Sequence, residues 1–193
     1  MKILLSLLQG IAQSAGIVMR KIAVMVASRA NWGRVKSVCK AIDEHPNLTL
    51  QLIVAASAVD IPLPYKPDAV VQCLVDGDDT QTMTLTTGLF LCQIGGVLER
   101  LKPDVLYLHG DRHELSAPAI AAAYQNIKIA HGECAEETGT IDNKVRNVIT
   151  SLADLYFPVT NLAKEKNSPR HQPSQRTHPQ VHPTRRVNAR RTY

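Results

Sequence analysis

The sequence predicts an α/β fold, a Rossmann-like parallel sheet with helices on both faces. Three observations carry that prediction. Apolar runs within Lys21–Ala27, Val105–Leu108 and Ile127–Ala130 each lead into polar or charged residues, as strands buried on both faces do. Between the runs lie segments whose apolar residues recur at helical spacing, and this alternation implies βαβ units with right-handed crossovers. Aromatic residues make up only 4% of the chain, so the interior is built from Val, Ile, Leu and Ala, which suits a sheet enclosed by helices.

In chain order, Lys21–Ala27 is the first strand and Ser28–Arg34 the loop after it. Val35, Val38, Cys39 and Ile42 share one face of the helix that follows, and His45-Pro46-Asn47 stops it. Leu48–Ala56 is a second strand. Pro62, Pro64 and Pro67 keep residues 57–67 irregular, and Val70–Val75 is a short strand. Asp79 or Thr80 caps a helix reaching about Leu101, with Met83, Leu89, Leu91, Ile94, Val97 and Leu98 expected towards the core. Lys102-Pro103-Asp104 breaks it and starts the strand Val105–Leu108. An alanine-rich helix over Leu115–Gln125, a strand over Ile127–Ala130, a helix over Ile141–Ala153 and a last strand at Leu155–Val159 complete the pattern.

Charge is unevenly distributed. From Lys164 to Tyr193 there are eight Lys or Arg residues and one acid, Glu165, so the net +5 of the whole belongs to this tail and the rest is net acidic. From Asn167 on, almost no large aliphatics occur, and such a segment buries too little apolar area to offset its ordering entropy. The expected organisation is therefore a leader over 1–19, a Rossmann-like domain over 20–163 and a basic disordered tail over 164–193. Lys2, the apolar stretch after it and Gly10-x-Ala12 fit a signal peptide, but a leader ahead of Met19 is the preferred reading. Cys39, Cys73, Cys92 and Cys134 form no CxxC pair, which suits a reduced, cytoplasmic protein without a metal site.

Ligands of open parallel sheets bind outside the carboxyl ends of the strands, which singles out Leu106–Arg112 and Ile129–Glu133. Asp111 and Glu133 are expected to face one cleft, although Asp111 could equally cap the next helix. Arg112 is either a partner for a phosphate or carboxylate or a solvated charge. Arg29 and Arg34 stand where a loop and helix N-terminus make an anion site; with one glycine, that loop is no dinucleotide fingerprint. Asp142 enters a helix with Arg146 four residues on, an ordinary i,i+4 pair if nothing else engages them.

The ordered set Arg29-Ala30-Asn31-Trp32, Leu101-Lys102-Pro103-Asp104, His109-Gly110-Asp111-Arg112-His113-Glu114, His131-Gly132-Glu133 and Gly139-Thr140-Ile141-Asp142 resembles the N-terminal half of UDP-N-acetylglucosamine 2-epimerases, over roughly Arg20–Ala163. Arg112 and the Gly-Thr-Ile-Asp form are most similar to the hydrolysing branch of the sialic-acid pathway. The resemblance implies one half of a glycosyltransferase-B-like architecture of two Rossmann-type domains. It also implies conversion of UDP-N-acetylglucosamine to N-acetylmannosamine and UDP by elimination and hydration. Carboxylates serve that chemistry as acid and base, and cations stabilise the departing diphosphate. On the family's pattern Asp111, Glu133 and Asp142 are the catalytic acids, and Arg29, Arg34, Arg112, His131 and Arg146 the substrate-binding residues. No metal or other cofactor is implied.

Several positions depart from that pattern. Asn31 replaces an aspartate and Trp32 a tyrosine, and His-Ile-Glu-Gly-Gly-Glu becomes His131-Gly132-Glu133-Cys134-Ala135-Glu136, which loses both glycines after Glu133. The family's second domain, which supplies a histidine and most UDP contacts, has no counterpart in the basic tail. The expectation is thus an epimerase domain of truncated form, its activity alone left open, with UDP-N-acetylglucosamine as partner and a homo-oligomer as an allowed assembly. A non-catalytic nucleotide-sugar-binding or subunit-assembly module is the alternative. Polyanion binding by the Arg-rich tail is a further one, but the tail's lack of aromatics disfavours nucleic acid. No membrane association is expected.

Overall fold

Strands and helices alternate along the chain in a computed structural model that describes residues 19–160; the expected leader and basic tail lie outside the described residues. Strand β1 spans Arg20–Val26, helix α1 Arg29–Asp43, β2 Leu48–Ala55, β3 Ala69–Val71 and α2 Thr80–Leu101. Then follow β4 at Val105–His109, α3 at Ser116–Tyr124, β5 at Lys128–Gly132, α4 at Ile141–Leu152 and β6 at Leu155–Phe157. All pairings are parallel. The order is β3-β2-β1-β4-β5-β6, so the chain changes direction across the sheet between β1 and β4. In open α/β sheets ligands bind at such a switch point, outside the carboxyl ends of the strands.

Because side chains alternate along a strand, each strand feeds two cores. Ile22, Val24 and Val26 of β1 join Leu52, Val54 and the Val35-Cys39-Ile42 face of α1. Ala23 and Met25 turn the other way, to Phe90, Ile94 and Leu98 of α2, Ala119 and Ala122 of α3, and Ile149 of α4. Small residues on α3 let it lie close to α2 and the sheet. The helix starts follow local chemistry: Ser28, Asp79 and Thr140 cap α1, α2 and α4 by accepting from backbone N–H groups of the first turn.

Several boundaries differ from expectation. The third strand pairs only over Ala69–Val71, because beyond it the Val75 N–H turns to the Thr86 hydroxyl, 3.0 Å away. Helix α2 buries Thr86, Phe90, Ile94 and Leu98, while Leu89 and Leu91 are exposed. Those leucines flank Phe90 at about 100° to either side, so one helix cannot bury both when Phe90 faces inward. Strand β5 runs on through His131 and Gly132, past the expected end at Ala130. That extension places His131 inside the sheet. Among the described residues, no helix is long and apolar enough to cross a membrane.

Candidate active site

Three chain segments meet at the switch point. From α1 come Asn31 and Arg34, from β4 His109, Gly110 and Asp111, and from β5 Gly132 and Glu133. Asn31 fixes their spacing. Its side-chain N–H donates to the His109 carbonyl at 2.9 Å, and its carbonyl oxygen accepts from the Ala27 N–H at 3.3 Å. The buried amide thus bridges the ends of β1 and β4, which an aspartate, having no N–H to donate, does not reproduce.

Glu133 sits just past β5 in the left-handed region, at φ +63°, with its N–H held by the Phe157 carbonyl at 3.0 Å. One carboxylate oxygen pairs with the Arg34 guanidinium, and the other lies 3.3 Å from His109 Nε2. His109 Nδ1 is 3.0 Å from the Tyr107 hydroxyl. Burial pushes the His109 imidazole below its ordinary pKa; the Glu133 carboxylate opposes this and the Arg34 cation adds to it.

Asp111 forms a second centre beside the first. Its carboxylate pairs with Arg146 of α4, which also donates to the Glu136 carbonyl at 2.5 Å. Arg146 is only 3% exposed, so its charge is committed to Asp111 in a site of low dielectric, where an ion pair matters most. Gly110 stands between the two centres, at φ +90°, where a Cβ would come within 3.7 Å of Glu133 Oε2. Asp111 and Glu133 therefore follow adjacent parallel strands at the same edge of the sheet.

The expected Asp142–Arg146 pair does not form. Arg146 turns inward to Asp111, while Asp142 stays in the first turn of α4, accepting from the Thr140 hydroxyl at 3.2 Å. Asp142 instead lines a groove of about 490 Å³ together with Arg112, His113, Asp78, Thr82 and Thr86. Arg112 is anchored at the groove by its Nε–H, which donates to the buried Glu114 carboxylate at 2.7 Å. Arg29 is exposed in the first turn of α1, without an ion-pair partner among the described residues.

His131 does not reach the cleft. It is fully buried, with Nε2 2.9 Å from the Gly110 carbonyl and Nδ1 3.0 Å from the Thr150 hydroxyl. A carbonyl only accepts, so Nε2 carries the proton and Nδ1 accepts from Thr150. Burial holds the imidazole neutral, its pKa pushed down to about 4. The cause is the extension of β5: a residue within the ladder faces a core, and His131 faces α4. It braces the backbone just before Asp111.

His109, Glu114 and Gly132 stand in the sequence motifs without an assigned contact, and Tyr107 and Thr150 carry no sequence signal as site residues. His109 opens the polar cluster after a buried strand, Glu114 closes it, and Gly132 precedes Glu133. The others matter through contacts between segments, of which the chain order gives no hint. Among the described residues no group of His, Cys, Asp or Glu is arranged to hold a metal ion.

Comparison with known proteins agrees with this architecture. The family model described as UDP-N-acetylglucosamine 2-epimerase matches residues 40–175. The chain is 31% identical over 157 residues to a UDP-N,N'-diacetylbacillosamine 2-epimerase (hydrolyzing) of Legionella pneumophila, covering 76% of this chain and 42% of the relative. To the UDP-N-acetylglucosamine 2-epimerase of Neisseria meningitidis serogroup B it is 24% identical over 155 residues, covering 75% and 40%. The crystal structure of a Neisseria meningitidis UDP-GlcNAc 2-epimerase bound to UDP-GlcNAc superposes with a TM-score of 0.66 at 22% identity, over 75% of this chain and 42% of that one. A Methanocaldococcus jannaschii UDP-GlcNAc 2-epimerase gives 0.65 at 22% identity, over 75% and 41%. The chain spans about two-fifths of the length of the curated relatives it matches, and its sheet is one Rossmann-type half of their glycosyltransferase-B-like fold. On the strength of a match over more than half of its residues, this chain belongs to the UDP-N-acetylglucosamine 2-epimerase family.

Proposed function

We propose that the chain carries the acid–base half of a hydrolysing UDP-N-acetylglucosamine 2-epimerase, which removes the C2 proton, expels UDP and hydrates the intermediate to N-acetylmannosamine. The observation that carries this reading is that Asp111 and Glu133 stand just past the adjacent strands β4 and β5 at one edge of the sheet, each in contact with an arginine. Loss of the C2 proton and protonation during hydration call for carboxyl groups at the sugar. The departing diphosphate calls for cations in place before charge develops. In this reading Asp111, Glu133 and Asp142 are the acid–base groups and Arg29, Arg34 and Arg112 the cations. Arg34 is 60% exposed at its side chain, so it can turn from Glu133 to a substrate phosphate with little loss. Arg146 and His131 act beneath the surface, the first by holding Asp111 and the second by bracing Gly110.

The identity with the Legionella relative favours one variant of this reading, in which UDP-N,N'-diacetylbacillosamine is the substrate. The test supplies each nucleotide sugar separately and measures UDP and the free sugar. Release of UDP with N-acetylmannosamine, at least ~100-fold slower in Asp111→Asn and Glu133→Gln, supports the first reading. Product only from the diacetylated sugar selects the variant. Release unaffected by either substitution removes both carboxyls from the mechanism. Within the proposal the protein acts in the cytoplasm, in sialic-acid synthesis, as a homo-oligomer.

A further inference from the structure

We propose that Tyr107 and His109 form a positioning pair that holds the Glu133 carboxylate, built into the space that Gly132 leaves open. The pair's function rests on the reading of Glu133 as an acid–base group; its geometry does not. Tyr107 and His109 lie two residues apart on β4, so their side chains leave the same side of the sheet. His109 is in register with Gly132 of β5. A Cβ on Gly132 would lie 2.3 Å from the Tyr107 hydroxyl and 2.7 Å from His109 Nδ1. The glycine, which stands where the family pattern has isoleucine, is thus the steric counterpart of the tyrosine. The tyrosine's ring and hydroxyl occupy the volume that a side chain at 132 would need.

The proton positions follow from the partners. Glu133 Oε2 faces His109 Nε2 at 3.3 Å, and a carboxylate only accepts, so Nε2 carries the hydrogen. Nδ1 is then an acceptor, and the Tyr107 hydroxyl donates to it at 3.0 Å. Burial keeps that phenol protonated well above its ordinary range, so the donor persists across all working pH. The Nε2 atom is buried and its 3.3 Å contact with Glu133 lies off hydrogen-bond alignment; the proposed hold forms when the carboxylate turns an oxygen onto the Nε2–H axis. The charged and titratable groups around His109 are Arg34 from α1, Tyr107 from its own strand and Glu133 just past β5, while His131 acts on it only electrostatically, from the opposite face of the sheet.

The two partners of Glu133 differ in one decisive respect. The Arg34 side chain is 60% exposed, whereas that of His109 is 14% exposed. A substrate anion that draws Arg34 away leaves Glu133 with His109 alone. Its Nε2–H, fixed in that tautomer by Tyr107, then sets the orientation of the carboxylate.

Nitrogen-15 NMR of the histidine-labelled full chain, titrated between pH 5 and 8, tests the pair without substrate. The expected result is a neutral His109 at pH 7 protonated on Nε2. Tyr107→Phe should raise the His109 titration midpoint by about one unit, because a hydrogen bond donated to the neutral ring is lost. Glu133→Gln should lower it, because the carboxylate favours the charged ring. A proton on Nδ1, a charged His109 at pH 7, or a midpoint indifferent to both substitutions overturns the proposal. A side chain that only packs would leave the midpoint unmoved in Tyr107→Phe. Turnover separates this outcome from the functional reading: UDP release retained in Glu133→Gln, with the NMR result as expected, leaves the pair standing and removes Glu133 as an acid–base group.

Discussion

At Ala135 the backbone holds φ +60°, a conformation that costs a side-chain-bearing residue about 1 kcal/mol relative to glycine. The family pattern has glycine there. Ala135→Gly should therefore stabilise the fold by up to ~1 kcal/mol, read as a rise in the urea midpoint at unchanged slope. Gly132 makes the opposite case. Gly132→Ala drives a methyl into the Tyr107 hydroxyl and should cost about 1–3 kcal/mol. Tyr107→Phe in the same chain should recover part of that loss, because the closest atom is then gone. Strictly additive losses in a double-mutant cycle would rule out the direct contact.

His131 adds a pH dependence at the same scale. Its folded pKa of about 4 lies below the ordinary histidine value of 6.5. The unfolded chain therefore binds the proton more readily between these values. Stability from this group is complete above pH 6.5 and falls as pH drops towards 4, by about 3 kcal/mol at most. Denaturant titrations at pH 7 and pH 4.5 should show the difference, and His131→Gln should flatten it. A slope as steep in the variant as in the parent would place the acid sensitivity elsewhere.

Among the elements, α4 bears most directly on the site. Its Thr140 cap sets the first turn, Ile149 anchors it in the core, and Arg146 reaches from its inner face to Asp111. Replacing Arg146 with Leu leaves Asp111 beside the cleft without its cation, and a loss of about 3–5 kcal/mol is expected in thermal or urea unfolding. Asp111→Asn should cost more than Arg146→Leu, because it leaves the 3%-exposed guanidinium without an anion, whereas Asp111 keeps 21% exposure to water. Equal losses would mean that the ion pair contributes as a unit and that the fate of the partner left behind is immaterial.

Across the whole molecule, the sheet order sets the pattern of stability. β1 and β4 lie at the centre and β3 and β6 at the edges, with β6 only half-buried along its length. Amide hydrogen exchange should be slowest in β1 and β4 and fastest in β3 and β6. Because Asn31 spans the central pair, Asn31→Ala should speed exchange at Ala27 and around His109 more than at β6. Uniform acceleration would instead indicate general destabilisation.

Local pattern determined much of this protein. Apolar runs of strand length, helical spacing between them, and acids at the strand ends were enough to predict the parallel sheet. They also placed Asp111 and Glu133 at one edge, because strand direction fixes which ends share a side. The length of β5 was not legible, since His131 and Gly132 look like loop residues until their ladder partners are known. Nor were the pairings of Arg146 with Asp111, Arg34 with Glu133, or Tyr107 with the gap at Gly132. Each joins residues 25 to 99 positions apart; the packing of α1 and α4 against the strand ends brings the two arginines to their acids, and the register of β4 on β5 brings Tyr107 to Gly132. Periodicity is a property of neighbours in the chain; the choice among several competing polar partners is a property of the packed sheet, where burial makes an unpaired charge too costly to leave.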